Sequence, residues 1–394
     1  MNEKSHLINI NSQKESGSDI RDMSIECDNI GGINLSQGVC DMGAPKEVVE
    51  GAVKAIEGGL NYYTRFDGID ELRTAIAKKL SKYNGIEADA KKNIIVSAGT
   101  TGALFCACLA LLKPGDEVII FEPYYSYHVD TILAVGAKPV FVKTYPPDWK
   151  FDAGELGAAV GENTRAIIIN TPSNPTGKVF SKEELLQIAK VCEKNDLIVF
   201  TDEIYEYFVY DGKKHLSPAC LPELSERTVS IFGYSKTFSI TGWRVGYAVC
   251  NEKWAAKIGK LNDLLYVCSP SPLQAGVAAG IEKLPDSYYE KIRKEHEEKR
   301  DMLASALKKA GLEPYVPQGA YYMLADASKV KGEKGREKAM NFLKETGIAT
   351  VPGRAFYFDG GANILRFCFA KDKKVIEEAC KRILKFGGNA DGEI

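Results

Sequence analysis

One lysine of this sequence stands in a setting that could make it a nucleophile. Lys236 lies between Ser235 and Thr237, and the glycine- and aromatic-rich run 241–247, which contains Arg244, follows it. A lysine taken out of water loses solvation of its ammonium group, so its pKa falls and its amine becomes a candidate nucleophile. The alternative is a surface lysine beside a buried, ion-paired arginine, and these residues alone do not decide between the two interpretations.

A carboxylate is predicted at the end of a buried strand. The apolar run 197–201 leads directly into Asp202 and Glu203, and Tyr205 follows. An acid in that position needs a cationic partner or hydrogen bonds to stay ionised. Asp202 is therefore a candidate for binding a cationic group, although a cap on the following turn explains it as well.

Two turns of small residues could bind a ligand. The first contains Gly99, Thr100 and Thr101 between a predicted strand and a predicted helix, where backbone N–H groups and hydroxyls could close on a phosphate. A tight turn with a threonine cap explains these residues equally well, and the pattern does not match a nucleotide P-loop. The second, Asn-Pro-Thr-Gly at residues 174–177, by itself indicates only a turn.

Composition excludes several classes of function. The 394 residues are 45% hydrophobic and 26% charged, as in folded globular proteins of two or three structural units. A net charge of −2 without a basic block argues against nucleic acid and membrane partners. The ten cysteines are scattered, without CxxC pairs of the zinc type, and no secretion signal or membrane-spanning run is visible. Reduced thiols in a cytoplasmic protein without a metal site are therefore expected.

The segments that must position these residues alternate between strand and helix patterns, which is typical of βαβ units with a parallel sheet. Apolar runs bounded by turn residues predict seven strands, at residues 93–97, 117–121, 139–142, 166–170, 197–201, 228–232 and 245–250. Apolar residues at helical spacing predict helices at residues 46–58, 71–83, 101–112, 130–135 and 181–195. The candidate residues then follow the strands, at the sheet edge where open α/β folds bind ligands.

A second, smaller unit is predicted after a charged helix at residues 286–310. Its predicted elements are strands at 320–324 and 365–369, helices at 336–346 and 374–384, and a contribution from residues 33–38. The expected fold class is α/β, with a mostly parallel seven-stranded sheet between helices in a large domain and a smaller α/β domain formed by both chain ends. The expected divisions are residues 1–44, a segment joining the small domain, 45–290, the large domain, and 291–394, the small C-terminal domain.

In this order along the chain, the motifs resemble those of class I/II pyridoxal-phosphate-dependent aminotransferases, which have the aspartate aminotransferase fold. The resemblance rests on residues 99–101, 174–177, 202–205, 235–238, 241–247 and 365–369, and it extends from about residue 33 to the last predicted helix. It implies that residues 45–290 bind pyridoxal 5'-phosphate. It also implies transfer of an amino group between an L-amino acid and a 2-oxo acid, in a homodimer with shared active sites.

The resemblance gives the candidate residues specific roles. Lys236 matches the lysine that bonds to the cofactor aldehyde and later moves the proton of the substrate Cα. Asp202 matches the carboxylate that pairs with the pyridine nitrogen. Tyr205 and Asn174 match the donors to the 3'-oxygen, and Tyr125 best matches the residue stacked on the ring, with Tyr124 as the alternative.

Other matches concern the phosphate and the substrate. The residues that match phosphate contacts are Gly99, Thr100, Thr101, Ser235 and Arg244. Tyr63 matches a tyrosine that reaches the phosphate of the neighbouring subunit. Arg366 matches the arginine that binds the substrate α-carboxylate as a two-pronged pair, with Asn174 and the backbone of Gly38 beside it.

Three positions depart from the family pattern. Gly233 stands where many relatives have a hydroxyl residue, so one phosphate contact is lost or is made by Ser235. Cys40 replaces a frequent proline in the loop expected to cover the substrate. Thr101 stands where relatives that use aspartate or prephenate have a lysine for a second carboxylate, and no substitute is evident. The sequence therefore favours a neutral or aromatic amino donor.

Two other functions remain open at this point. A carbon–sulfur β-lyase, or another enzyme that forms a carbanion at Cα, would use the same lysine, aspartate and tyrosine. A non-enzymatic regulator that senses the cofactor would need a DNA-binding module, and the first thirty residues are too short and too weakly basic for one. The amino donor and acceptor are not determined by these motifs.

Overall fold

The structure, a computed structural model, describes residues 19–388, so the first and last residues of the predicted terminal segments, 1–18 and 389–394, lie outside it. The helices are α1 Asp19–Asn29, α2 Lys46–Glu57, α3 Asp70–Lys79, α4 Gly99–Leu111, α5 Ser126–Ala134, α6 Ala153–Ala158, α7 Lys182–Lys194, α8 Pro222–Ser225, α9 Glu252–Tyr266, α10 Ser271–Lys283, α11 Asp286–Lys309, α12 Gly335–Thr346 and α13 Lys373–Phe386. The strands are β1 Ile33–Asn34, β2 Ile94–Ala98, β3 Glu117–Glu122, β4 Lys138–Tyr145, β5 Lys150–Phe151, β6 Thr164–Asn170, β7 Ile198–Asp202, β8 Thr228–Gly233, β9 Val245–Val249, β10 Glu313–Tyr315, β11 Tyr322–Asp326, β12 Ile348–Ala349, β13 Val351–Pro352 and β14 Ile364–Cys368. A π-helical turn, Leu80–Asn84, continues α3, and short 3-10 turns are Pro218–Cys220, Thr241–Trp243 and Gly353–Phe356.

The large sheet has the strand order β2-β9-β8-β7-β6-β3-β4-β5. Pairing is parallel from β4 through β3, β6 and β7 to β8, and antiparallel where β9 joins β8 and β2. The mostly parallel sheet between helices is thus confirmed. The expected number of seven strands is one too low, because the two-residue strand β5 pairs with the end of β4. A strand that short has no detectable alternation of apolar and polar residues.

Apolar side chains on both faces of the sheet explain why its central strands are continuous hydrophobic runs. In β6, Ala166 and Ile168 pack with residues of α4 and α9 on one face. Ile167 and Ile169 pack with residues of α7 on the other face. A strand covered by helices on both faces has no solvent-facing positions, so its sequence is apolar throughout.

The register of the central strands brings the candidate residues to one edge. Asn170 at the end of β6 pairs with Asp202 at the end of β7, and Asp202 pairs with Ile231 in β8. Gly233 at the end of β8 pairs with Gly246 in β9. The segment that carries Lys236 therefore leaves the sheet beside Asp202.

Both ends of the described chain meet in a second unit. Its sheet has the order β10-β11-β14-β13, and β1 pairs in parallel with β12. Met23 and Cys27 of α1 are buried in the same core as Phe342 of α12 and Ile383 of α13. These contacts are those expected of an N-terminal segment that joins the small domain, and the boundaries after residues 44 and 290 stay predictions.

Five helices, α1, α6, α8, α9 and α10, lie where no helix is predicted, and α5 begins at Ser126 rather than at residue 130. The sequence does not reveal α10 because small residues make the contact between this helix and α2. A Cβ added to Gly51 of α2 would lie 2.7 Å from the Cβ of Ala279. A face of glycine and alanine lacks the stripe of large apolar residues that indicates a helix in a sequence. In α5 the first turn contains Tyr127 and His128, both poor helix formers.

Candidate active site

A cavity of about 460 Å³ opens between the carboxyl edge of the large sheet and the second unit. Among the residues predicted for the site, those in its wall are Gly38, Thr100, Thr101, Tyr125, Asn174, Asp202, Tyr205, Ser235, Lys236, Arg244 and Arg366. Gly99 lies immediately behind, as the first residue of α4. Tyr63 is outside the wall and 77% exposed. The structure thus brings most of the predicted residues together around one space.

Lys236 presents its amine to this cavity. The Nζ atom donates a hydrogen bond to the carbonyl oxygen of Gly38, 3.1 Å away. The pKa of Lys236 falls to about 8, mainly because burial removes water from the ammonium group, and the guanidinium of Arg244 adds to the decrease. A usable fraction of the amine is therefore unprotonated near neutral pH, as nucleophilic chemistry requires.

Asp202 is 8% exposed and directs one carboxylate oxygen to each of two partners. Its Oδ1 accepts a hydrogen bond of 3.3 Å from the backbone N–H of Ile204, as the turn-cap interpretation expects. Its Oδ2 lies 2.9 Å from Nε2 of His128 in α5. The side chain of Asn170 also bonds the backbone oxygen of Asp202, at 2.9 Å. The carboxylate is consequently fixed in orientation while it still lines the cavity.

Aromatic side chains form much of the remaining wall. The hydroxyl of Tyr205 lies 3.1 Å from that of Tyr322 in β11, and burial raises the pKa of Tyr205 well above its usual range. Tyr125, just before α5, lines the cavity. Tyr124, the alternative for the stacked ring, is outside the wall and packs on Phe141 at 5.2 Å between ring centroids. The position of Tyr125 is thus the one compatible with stacking on a ligand.

A site for an anion is formed by Arg244 and the N-terminus of α4. Gly99 has φ +75°, and a Cβ there would lie 2.6 Å from Nη2 of Arg244. A Cβ on Gly246 would lie 2.5 Å from the backbone nitrogen of Thr100. Only glycine at both positions allows the arginine and strand β9 to approach the helix end this closely. The first N–H groups of a helix lack intrahelical acceptors, so Thr100 and Thr101 offer donors next to a guanidinium.

The glycine at position 233 has a steric cause in the structure. A Cβ there would lie 3.1 Å from Cγ2 of Thr100 and 3.2 Å from Cδ1 of Ile204, so any larger residue would require these neighbours to move. Ser235, in contrast, lies in the cavity wall. A hydroxyl that contacts an anion in the cavity can therefore come from Ser235, and position 233 has no room for one.

Arg366 in β14 is 1% exposed, with its guanidinium in the cavity wall. It donates to Oδ1 of Asn174 at 2.9 Å and to the backbone oxygen of Ser36 at 2.5 Å. Tyr322 stacks on the guanidinium at 4.3 Å from ring centroid to Cζ. Within residues 19–388 its hydrogen bonds go to neutral oxygens, and Nε has no partner. A buried cation whose hydrogen bonds go to neutral oxygens gains stability from an anionic ligand, and a carboxylate would provide one.

Several residues of the site were not predicted from the sequence: Ile20, Arg21, Ser36, Asn170, His128 and Tyr322. Ile20 and Arg21 belong to α1 and reach the cavity from the other end of the chain. No local motif marks any of them. They join the site only through tertiary packing.

The chain matches the family model of class I and II aminotransferases over residues 30–383. The chain belongs to this family. The aminotransferase is 35% identical to kynurenine–oxoglutarate transaminase of Dictyostelium discoideum, over 90% of each chain. It is also 35% identical to aspartate aminotransferase of Sulfolobus acidocaldarius, over 90% of this chain and 89% of that one. These similarities confirm the predicted family and the activity of an aminotransferase, which moves an amino group between an amino acid and a 2-oxo acid.

The fold comparison agrees with the family. The solved structure of N-succinyldiaminopimelate aminotransferase from Mycobacterium tuberculosis superposes on the aminotransferase with a TM-score of 0.91 at 32% identity, covering 94% of this chain and 97% of that one. The predicted aspartate aminotransferase fold is thereby confirmed. Across residues 19–388, no helix is long and apolar enough to cross a membrane.

Proposed function

We propose that the aminotransferase uses pyridoxal 5'-phosphate and that Lys236 bonds to the aldehyde of this cofactor. The observation that carries the proposal is an amine with a pKa of about 8 in the wall of a cavity that also contains an anion site and a carboxylate. Reduction with borohydride tests it.

The residues of the cavity fit the chemical groups of this cofactor. The phosphate matches Arg244 and the first N–H groups of α4, where the missing Cβ of Gly99 leaves room for the guanidinium. The protonated ring nitrogen matches Asp202. The 3'-oxygen matches the hydroxyl of Tyr205 and the side chain of Asn174. When bound, the cofactor supplies an electron-poor ring that accepts the electron pair left at the substrate Cα.

The protein's own groups then have distinct tasks. Nζ of Lys236 takes the proton from the substrate Cα and returns it at the next step, for which a pKa near the working pH is best. Asp202, oriented by His128 and the N–H of Ile204, keeps a negative charge directed at the ring nitrogen. Arg366 orients the substrate through its α-carboxylate.

The preferred amino donor, we propose, is a neutral or aromatic amino acid. Tyr125, Tyr127 and Tyr322 line the cavity and offer ring surface to an apolar side chain. Thr101 lies in the same wall and carries no charge. The donor is tested by a panel of amino acids, each followed to its 2-oxo acid; release of ammonia with a 2-oxo acid would instead indicate the β-lyase reaction.

A homodimer with shared sites is part of the proposal. Tyr62 and Tyr63 are 68% and 77% exposed, and the end of α9 exposes Leu264, also at 77%. The hydroxyl of Ser271, at the start of α10, donates to the backbone oxygen of Tyr62 at 2.7 Å, which joins this loop to the region after α9. Large apolar side chains exposed together favour burial against a second copy, where Tyr63 would reach the partner's phosphate site.

A cytoplasmic location is proposed from the state of the cysteines. All ten are free thiols, and eight of them are buried. Buried thiols that form no disulfide suit a reducing compartment, because oxidising compartments favour disulfides. Fractionation of the cells that make the protein tests the location.

Borohydride should fix the cofactor on Lys236. The reagent reduces the carbon–nitrogen double bond between a lysine and an aldehyde, so the purified protein should retain the label after unfolding. Peptide mapping should find it on the tryptic peptide that contains Lys236, and pretreatment with an amino-acid substrate should prevent labelling. A label on another lysine, or none on protein loaded with the cofactor, contradicts the assignment.

Replacing Arg366 by alanine should weaken substrate binding and leave cofactor retention intact. The lost pair is a charge-assisted contact with the α-carboxylate, and truncation of one partner costs about 2 kcal/mol or more, a loss of affinity of about 30-fold. Binding of unreactive carboxylates, measured by calorimetry, checks this. Arg382→Ala, which removes a half-exposed arginine of α13 paired with Glu378, is the control. If the variant lost the cofactor and kept its affinity for carboxylates, Arg366 would bind the cofactor and not the substrate, and the assignment would be wrong.

A further inference from the structure

The turn that carries Tyr205 has two sides. Asp202 and Tyr205 line the cavity. Glu203 and Glu206, each one residue further along the chain, are outside the cavity wall and are 0% and 2% exposed. The backbone N–H of Glu206 donates to the oxygen of Glu203 at 3.0 Å, which closes a tight turn and places residues three apart on the same side. The position of Tyr205 therefore depends on what holds the two buried acids.

Glu206 is held by the end of α3 and the π-helical turn that continues it. Nζ of Lys79 donates to Oε1 of Glu206 at 2.5 Å, and Nδ2 of Asn84 donates to Oε2 at 2.8 Å. The hydroxyl of Tyr83 donates to the backbone oxygen of Glu206 at 2.9 Å. The side chains of Lys79 and Glu206 are 6% and 2% exposed. One distant segment of the chain thus bonds three oxygen atoms of Glu206.

The second acid belongs to the same hydrogen-bond network. Oε1 of Glu203 accepts from the hydroxyl of Thr201 at 2.6 Å. Its Oε2 accepts from the hydroxyl of Ser217 and lies 2.7 Å from Nε2 of His215. Asn84 also donates to the hydroxyl of Ser217, at 3.0 Å. A continuous chain of hydrogen bonds therefore joins the end of α3 to the end of β7.

The free energy of folding alone does not explain a buried ion pair at this place. Lys79 and Glu206 lose their hydration on burial, so apolar residues of similar size would stabilise the fold about as well. What the pair adds is direction, because hydrogen bonds have preferred lengths and angles and apolar contacts do not. The geometry thus points to a role in fixing the turn.

We propose that Glu206 is a positioning residue. Held by the end of α3, it keeps the hydroxyl of Tyr205 at the place assigned to the 3'-oxygen of the cofactor. This inference rests on the proposed function and extends it to residues behind the cavity. Lys79, Tyr83 and Asn84 are all outside the cavity wall, so their effect on the cofactor passes through the turn.

The absorbance of the bound cofactor measures the contact with Tyr205. A hydrogen bond to the 3'-oxygen stabilises its negative charge most when the neighbouring nitrogen, that of Lys236, has lost its proton. The bond therefore lowers the pH at which this proton leaves and the absorbance changes. Tyr205→Phe should raise the midpoint of the titration by about one pH unit, the effect of one hydrogen bond to a charged group.

Two variants weaken the contacts behind the turn without a change of net charge. Tyr83→Phe removes one hydroxyl, and Lys79→Met combined with Glu206→Leu removes both members of the ion pair. Both should raise the midpoint, by up to about one pH unit, and the paired replacement by more than Tyr83→Phe. In protein that also carries Tyr205→Phe, neither should raise it further, because effects that act through one residue are not additive.

The matched control removes another lysine and another acid. Lys82, in the same π-helical turn, donates to Asp286 at 2.7 Å, and the side chains of this pair are 70% and 76% exposed. Lys82→Gln combined with Asp286→Asn should leave the midpoint unchanged. Thermal unfolding of every variant separates a shift of the midpoint from a loss of stability.

Two results overturn the proposal. One is a midpoint like that of wild type in Tyr83→Phe and in the paired replacement, and if the latter does not fold, Tyr83→Phe decides. The other is a shift of equal size with and without the hydroxyl of Tyr205. A failure of the proposed function is seen separately, because wild-type protein would then not be labelled on Lys236 by borohydride. An unchanged midpoint in Tyr205→Phe would contradict the contact with the 3'-oxygen, and this proposal with it.

Discussion

Replacing Lys236 by alanine should lower the rate of amino-group transfer by about 10⁴-fold, the upper range for loss of a positioned acid–base group. The variant lacks the amine that we propose takes the proton from the substrate Cα, and no other lysine of the described chain lies in the cavity wall. Single-turnover rates with the best donor measure the loss. Thermal unfolding should change little, since the only hydrogen bond removed is the one to the oxygen of Gly38.

Two controls distinguish the action of the Lys236 amine as a base from the effect of its positive charge. Lys236→Arg retains a cation but has no group that can be deprotonated near neutral pH, so it should be as slow as the alanine variant. A small amine such as methylamine should restore part of the rate to Lys236→Ala and not to Lys236→Arg, whose side chain fills the space. A rate within tenfold of wild type in either variant removes Lys236 from the mechanism.

Asp202→Asn should fold and still become labelled on Lys236 by borohydride, yet transfer the amino group about 10³-fold more slowly. Loss of one group that stabilises charge in a transition state has effects of this size. Asparagine retains an oxygen for the N–H of Ile204, so the turn is kept, but it has no charge with which to keep the ring nitrogen of the cofactor protonated. Binding and chemistry should therefore separate in this variant.

The turn-cap interpretation predicts the opposite for the same variant. If the bond to Ile204 were the whole role of Asp202, the cost would be in stability, at most about 1 kcal/mol, with the rate per folded molecule nearly unchanged. Thermal unfolding measured beside single-turnover rates decides between them. Asp196→Asn, at an exposed turn far from the cavity, should change neither quantity. A rate near that of wild type in Asp202→Asn would exclude it from catalysis.

The sequence predicts one half of the site better than the other, for a physical reason. Asp202 ends a buried strand, and Asn174 and Lys236 follow two others. Parallel pairing brings the ends of such strands together whatever the details of packing. The α/β class and the anion site at the start of α4 follow from the same rule. Residues whose position depends on one strand alone are therefore recognised from local patterns.

His128, Tyr322 and Arg21 belong to the half that is not recognised. His128 contacts Asp202 from α5. The sequence predicts the start of this helix too late, because residues in its first turn have low helix propensity. Tyr322 and Arg21 come from the second unit, so their distance from the cavity depends on how the two units pack. Periodicity within a segment contains no information on such contacts, and neither residue is part of a motif.

Because of the buried guanidinium of Arg366, the stability of the folded enzyme should depend on the concentration of carboxylate ligands. Without a carboxylate, the described chain carries an arginine whose Nε is unsatisfied and whose charge meets only neutral oxygens and rings. Any acid that fills this place binds the native state and not the unfolded chain, so it shifts the folding equilibrium by mass action. If Arg366 binds carboxylates as proposed, the temperature at which the enzyme unfolds should rise with the concentration of a bound amino or 2-oxo acid.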